Sequence, residues 1–295
     1  MKENIRTIQN EAMSVQVNLV GASLWSMKDA EGTEYLWQGD EKYWGDRAPV
    51  LFPYIARLTD GKYILNDHEY RMDIHGFAKD SVFEVVKQTD SEITLKIRDT
   101  DETYVQYPYQ YVFEITYKLE GNRLDVIFHV ENRDIKTMYF GVGGHPGFNV
   151  PLQDSEAFED YYLEFIGEGE ARKELFSEDC FVLSQTEKFP LFEGNKLPLK
   201  HDLFDNDAII LSNMPKKIAL KSRNGRKAIY VEYQDMNYLG LWHWPKTDAP
   251  YICIEPWSSL PSRKNVVEDF AKQENLMKLE SGAMTDKRWS IEISG

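Results

Sequence analysis

The sequence predicts an all-β chain: a large antiparallel sandwich with few short helices. Apolar residues alternate with polar ones over most of its length, and turn-forming dipeptides separate the alternating runs. Stretches with helical spacing are scarce. Ile93, Leu95 and Ile97 form one run, and Tyr111, Phe113, Ile115 and Tyr117 form the next. Leu124, Val126, Phe128 and Val130 follow, and Trp289, Ile291 and Ile293 close the chain. Residues two apart share one face of a strand, so each run reads as a half-buried strand. Asn66-Asp67, Gly121-Asn122 and Asn224-Gly225 supply the hairpin turns. Short strands joined by such turns pair antiparallel, whereas parallel pairs need a long crossover. The best helix candidate is Asn265 to Leu276, where Val266, Val267 and Phe270 have helix-like spacing. The most acidic stretch, Asp154 to Asp179, keeps Phe158, Tyr161, Tyr162, Leu163 and Phe165, and so predicts a strand and a long loop with a solvated face.

No linker rich in Pro, Gly or Ser, no low-complexity tract and no repeat interrupts the 295 residues. Undivided β-sandwiches reach this size, so a single domain spanning residues 1–295 is expected. A formal net charge of −15 argues against a nucleic-acid partner, which a basic patch would have to neutralise, and against an anionic membrane. No apolar run approaches the roughly 18 residues of a membrane helix, and Met1-Lys2-Glu3-Asn4-Ile5-Arg6 leads into no signal-peptide core. The two cysteines, Cys180 and Cys253, form no C-x-x-C pair and suit a reducing compartment. The expectation is a cytoplasmic protein, monomeric or homodimeric, that contacts neither nucleic acid nor membrane.

Two distant stretches carry proton-transfer groups among residues that restrain the backbone: Gly143-Gly144-His145-Pro146-Gly147-Phe148-Asn149 and Ile252-Cys253-Ile254-Glu255-Pro256-Trp257. The glycines before His145 allow close backbone approach, and Pro146 biases His145 toward an extended conformation. Such a histidine is either aimed into a cleft or held in a tight loop by backbone partners. Glu255 ends a strand from Tyr251, sharing a face with Tyr251 and Cys253 while Ile252 and Ile254 point to the core. Beside Trp257 it is either a half-desolvated base with a raised pKa or an exposed carboxylate on the rim. His75, before Gly76-Phe77, can donate to a ligand oxygen, and Arg57 can hold hydroxyls through its planar fork. His75, His145 and Glu255 also match a His₂Glu zinc set by residue type, but no H-E-x-x-H spacing supports it. We therefore expect no metal and no cofactor.

At these motifs the chain resembles the aldose 1-epimerase (galactose mutarotase) family, and most closely its LacX-like branch. The matching segments occur in the family's order and span nearly the whole chain. They are Gly21-Ala22 with Tyr35-Leu36-Trp37, the Arg57 segment ending Asp60-Gly61-Lys62-Tyr63, His75-Gly76-Phe77-Ala78, His145-Pro146-Gly147-Phe148-Asn149 and Glu255-Pro256-Trp257. The resemblance implies a β-sandwich of the galactose mutarotase type with a sugar cleft across one sheet. It implies that Glu255 takes the proton of the anomeric hydroxyl and that His145 protonates the ring oxygen. Arg57 and His75 would hold the sugar, an aldohexose such as galactose or glucose, with Trp242 and Trp257 as apolar platforms.

Two positions depart from the family's pattern. The aspartate that contacts a sugar hydroxyl is expected at Asp207, but Asp205 shares its face. Relatives acting on hexose 6-phosphates often carry arginine after His-Gly-Phe-Ala, where this chain has Lys79, a cation without the bidentate fork. A hexose-6-phosphate 1-epimerase and a non-catalytic carbohydrate-binding protein are the alternatives. A glycoside hydrolase would need two facing carboxylates, and Glu255 is the one strong candidate.

Overall fold

The computed structural model describes residues 4–295, so the opening Met1-Lys2-Glu3 of the signal-peptide reading lies outside it. Two antiparallel sheets dominate. The larger has nine strands, in the order Lys196–Pro198, Tyr161–Ile166, Lys217–Ser222, Ala228–Glu232, Met284–Ser294, Arg123–Asn132, Tyr111–Glu120, Glu92–Arg98 and Glu84–Gln88. The four runs with clear alternation all fall here, and Tyr111–Glu120 and Arg123–Asn132 alternate buried and half-buried residues along their length. The Gly121-Asn122 turn joins these two, with Leu124 opposite Leu119 and Phe128 opposite Ile115.

The second sheet has eight strands. Its path runs Val182–Lys188, Arg172–Phe176, Ile209–Ser212, Tyr238–Trp242, Tyr251–Trp257, Gly143–Gly144 and Val50–Leu51, and Gly147–Asn149 also pairs with Tyr251–Trp257. Its Ile252 and Ile254 and the larger sheet's Val126, Phe128, Val231 and Ile291 belong to one apolar core. Phe52, stacked on Phe113 at 4.3 Å between ring centres, links the two layers. Every residue of Tyr251–Trp257 is buried. One face meets the core, and the other is covered by an aromatic cluster that includes Trp37, Trp44 and Trp242. A carboxylate on that covered face is dry, and this is what the fold contributes to the site.

The predicted helix at Asn265–Leu276 is absent. The segment instead forms turns and a two-residue strand, Glu268–Asp269, that pairs parallel with Tyr63–Ile64. Phe270 is fully buried, stacked on Tyr63 at 3.7 Å and on Tyr54 at 5.3 Å. Glu268 accepts from Arg263, and Gln273 bonds the Tyr54 hydroxyl. These distant partners outweigh a local helical spacing that lacks the length to support itself. Among the described residues the one α-helix is short, Asp101–Gln106, and is capped reciprocally by Thr100 and Thr103. No described helix is long and apolar enough to cross a membrane.

Candidate active site

The meeting of His145 and Glu255 follows from strand register. Gly143 stands opposite Trp257, and Gly147 opposite Cys253, so the intervening His145 faces Glu255 across the pair. The His145 amide donates to the Pro49 carbonyl at 3.0 Å, and the Ile254 amide donates to Pro146 at 3.2 Å. Their side chains converge, with His145 Nε2 lying 3.3 Å from Glu255 Oε2. On the other flank of the glutamate lies Gly240, where a Cβ would sit 3.2 Å from Glu255 Cβ and 3.3 Å from its Cδ. A glycine there leaves the carboxylate its space.

Burial sets the protonation of this pair. The Glu255 side chain is 1% exposed and that of His145 is 11%. Burial pushes the glutamate well above the usual carboxylate range. The nearby Asp207 charge adds to this, and a hydrogen bond from Trp257 Nε1, 3.1 Å from Oε2, opposes it. Burial lowers His145 to about 4, against its own backbone and the Asp207 charge. Low dielectric disfavours a lone charge on either group, which favours a single proton held between them. That is the state a bifunctional acid and base requires.

Of the other predicted residues, His75 and Asp207 act on this pair and Arg57 acts on His75. His75 sits at φ 66°, where its amide donates to the Ala56 carbonyl at 3.0 Å and its Nδ1 accepts from the Ala56 amide at 3.1 Å. That acceptor role places the proton of the neutral ring on Nε2. Burial keeps the ring neutral, and the His145, Lys79 and Arg57 charges reinforce it. Its ring centre lies 5.6 Å from that of His145, at right angles. The next residue, Gly76, has φ 71°, and a Cβ there would come within 2.3 Å of the Phe52 carbonyl oxygen, so the His-Gly turn tolerates no side chain. Arg57 is exposed, donates to the Asp179 carbonyl at 3.3 Å, and its charge reaches both His75 and Cys180.

Asp205 and Asp207 part company. Asp207 follows a short 3₁₀ turn at φ 72°, accepts from the Cys180 thiol at 2.9 Å, and acts electrostatically on both His145 and Glu255. Asp205 lines a separate surface depression with His201, Lys42 and Lys246. The geometry therefore favours Asp207. Lys79 is ion-paired with Asp80, and a cavity of about 50 Å³ beside it holds Asp46 and Asp80 as well as Arg47.

Several features were missing from the sequence reading or differ from it. Trp257 is 4% exposed and donates to Glu255, so it orients the carboxylate instead of offering a platform. Glu255 is 1% exposed, more enclosed than the half-desolvated base expected and not an exposed carboxylate on the rim. Trp44 was overlooked: its ring lies 5.0 Å from His145 and meets Trp242 edge-on at 5.5 Å. Trp242 itself is half-buried, with its ring centre 5.7 Å from that of His145. The tryptophan-rich stretch Trp37 to Trp44 was a usable signal, but nothing in its spacing points at His145.

Residues 4–288 match the model of the aldose 1-epimerase family. The chain belongs to that family. It is 32% identical to the plasmid-encoded protein LacX of Lactococcus lactis subsp. lactis over 297 residues, covering 97% of this chain and 98% of that one. A galactose mutarotase-like protein from Lactobacillus casei superposes with a TM-score of 0.93 at 33% identity, covering 98% of this chain and 99% of that one. A galactose mutarotase related enzyme from Lactobacillus acidophilus gives 0.93 at 32% identity, with 99% and 97% covered. The fold is of the galactose mutarotase type, and the protein is an isomerase acting on sugars.

Proposed function

We propose that this protein interconverts the α and β anomers of an unphosphorylated aldohexose such as glucose or galactose, with residues 1–295 as a single catalytic domain. The observation that carries the reading is the buried pair of His145 and Glu255, 3.3 Å apart. The anomeric hydroxyl and the ring oxygen share one carbon, so one pair at this spacing can serve both. With the shared proton on His145, Glu255 takes the proton from the C1 hydroxyl while His145 protonates the ring oxygen. The bond from C1 to the ring oxygen breaks to the open aldehyde, rotation about C1–C2 presents its other face, and reclosure by the reverse transfers gives the other anomer. Each positioned group is worth roughly 10²–10⁴-fold.

The neutral His75 Nε2–H and the Arg57 guanidinium supply donors for sugar oxygens, and Asp207 supplies an acceptor for a hydroxyl proton. Trp44 and Trp242 flank the acid and exclude water. The cavity beside Lys79 favours a neutral sugar over a 6-phosphate, because Lys79 is already paired with Asp80 and the Asp46 carboxylate lines the same cavity. Polarimetry of freshly dissolved α-D-glucose, α-D-galactose and glucose 6-phosphate tests this reading. Acceleration of the free sugars supports it. Acceleration of the phosphate ester alone would overturn the substrate assignment, and a folded protein that accelerates none would overturn the reaction.

A further inference from the structure

The same strand register that joins acid and base brings a third group into contact with them. Cys253 precedes Glu255 by two residues, shares its face, and stands opposite Gly147 on one side and Trp242 on the other. One ligand atom from each of His145, Cys253 and Glu255 lies within 4.8 Å of the others. The Cys253 thiol is fully buried and makes no hydrogen bond among the described residues, so no polar partner competes for it. Cys180, the other cysteine, already donates to Asp207.

We propose that His145, Cys253 and Glu255 form an inhibitory binding site for Zn²⁺ and similar thiophilic divalent cations. An imidazole, a thiolate and a carboxylate are the ligand types zinc takes, and three protein ligands leave a fourth position for water or a sugar oxygen. Hard cations such as Mg²⁺ and Ca²⁺ need more oxygens than the single carboxylate offers. Bonds of about 2.0–2.3 Å in a tetrahedron set ligand atoms about 3.3–3.8 Å apart. His145 Nε2 and Glu255 Oε2 already stand at 3.3 Å, so only the thiol has to close in. Binding releases the thiol proton and the proton shared by the pair, as thiolate and carboxylate ligation requires. The product, Zn²⁺ with one thiolate, one carboxylate and a neutral imidazole, carries no net charge and suits an enclosed site.

The consequence for turnover rests on the epimerase reading, because the cation occupies the acid and the base together. The site itself does not depend on that reading, and cobalt reports it without turnover. The full chain, freed of metal by dialysis against chelator, is titrated anaerobically with Co²⁺ and then with Zn²⁺. The expected result is a thiolate-to-cobalt charge-transfer band and tetrahedral d–d bands that saturate at one equivalent and are displaced by Zn²⁺. The charge-transfer band disappears in Cys253→Ser and persists in Cys180→Ser. Absence of the band from the parent protein overturns the site, as does its survival in Cys253→Ser. If Cys253→Ser does not fold, Glu255→Gln decides: affinity for Co²⁺ drops at least about tenfold, and unchanged affinity overturns the assignment. In parallel polarimetry, Zn²⁺ slows the parent enzyme in competition with sugar. A parent that shows the band but has no basal turnover leaves the metal site standing and sinks the epimerase reading alone.

Discussion

Replacing Trp257 with phenylalanine removes one polar atom from the site, the indole Nε1–H that donates to Glu255 Oε2 at 3.1 Å. That bond favours the charged carboxylate. Burial and the Asp207 charge push the other way, so the indole hydrogen bond is what holds the Glu255 pKa down. A hydrogen bond to a charged group contributes about 1.5–3 kcal/mol. Without it, the arrangement with the proton on His145 and the charge on Glu255 becomes rarer by that amount. The resulting loss in kcat is about 10- to 150-fold across the pH range where the pair holds one proton. The sign of the pH effect follows. A less favoured carboxylate keeps its proton to higher pH, so the alkaline limb of the rate profile moves up by about 1–2 units. The acid limb, set by His145 near 4, stays in place.

Polarimetric kcat and KM from pH 3 to 10, with circular dichroism to establish folding, provide the assay. Loosened packing around a truncated side chain lowers Tm and can lower kcat, but it does not move one limb upward while leaving the other fixed. A folded Trp257→Phe enzyme with kcat within about twofold of the parent and an unmoved alkaline limb would refute the reasoning.

Gly240→Ala places a methyl 3.2–3.3 Å from Glu255, and kcat is expected to drop about ten- to a hundredfold with KM little changed; an unchanged kcat would show that the carboxylate is not held in place there. Exhaustive dialysis against chelator is expected to leave turnover intact, and a loss restored by zinc would contradict the metal-free mechanism. Phe270→Ala is expected to cost about 3–5 kcal/mol in urea unfolding, because the ring is buried between Tyr63 and Tyr54; a cost under about 1 kcal/mol would mean that the Asn265–Leu276 segment packs differently.

The strands were legible wherever one face meets the core and the other meets water, as in Tyr111–Glu120 and Arg123–Asn132, because burial then writes a period of two into the residues. The same logic failed at Asn265–Leu276. There Glu268 and Phe270 answer to Tyr63, about 200 residues away, and local spacing carries no record of such contacts. His145, Glu255, His75 and Arg57 were visible because each sits in a distinctive motif of Gly, Pro or Trp. Cys253 was legible as sharing the face of Glu255, but its reach to His145 depends on register, and Trp44 was not legible, since its place beside His145 depends on a loop folding back over the sheet. Asp207 and Asp205 were inseparable by alternation alone. The positive φ at Asp207 directs it inward while Asp205 stays on the rim.

In the proposed mechanism one buried proton moves between His145, Glu255 and the sugar. Its most direct test is polarimetry on freshly dissolved α-D-galactose and α-D-glucose with the parent enzyme, Glu255→Gln and His145→Asn, each checked for folding. Rapid decay of rotation is expected with the parent, the uncatalysed rate with Glu255→Gln, and a strongly reduced rate with His145→Asn. Parental turnover in folded Glu255→Gln would contradict the mechanism, because the base would then have to lie elsewhere.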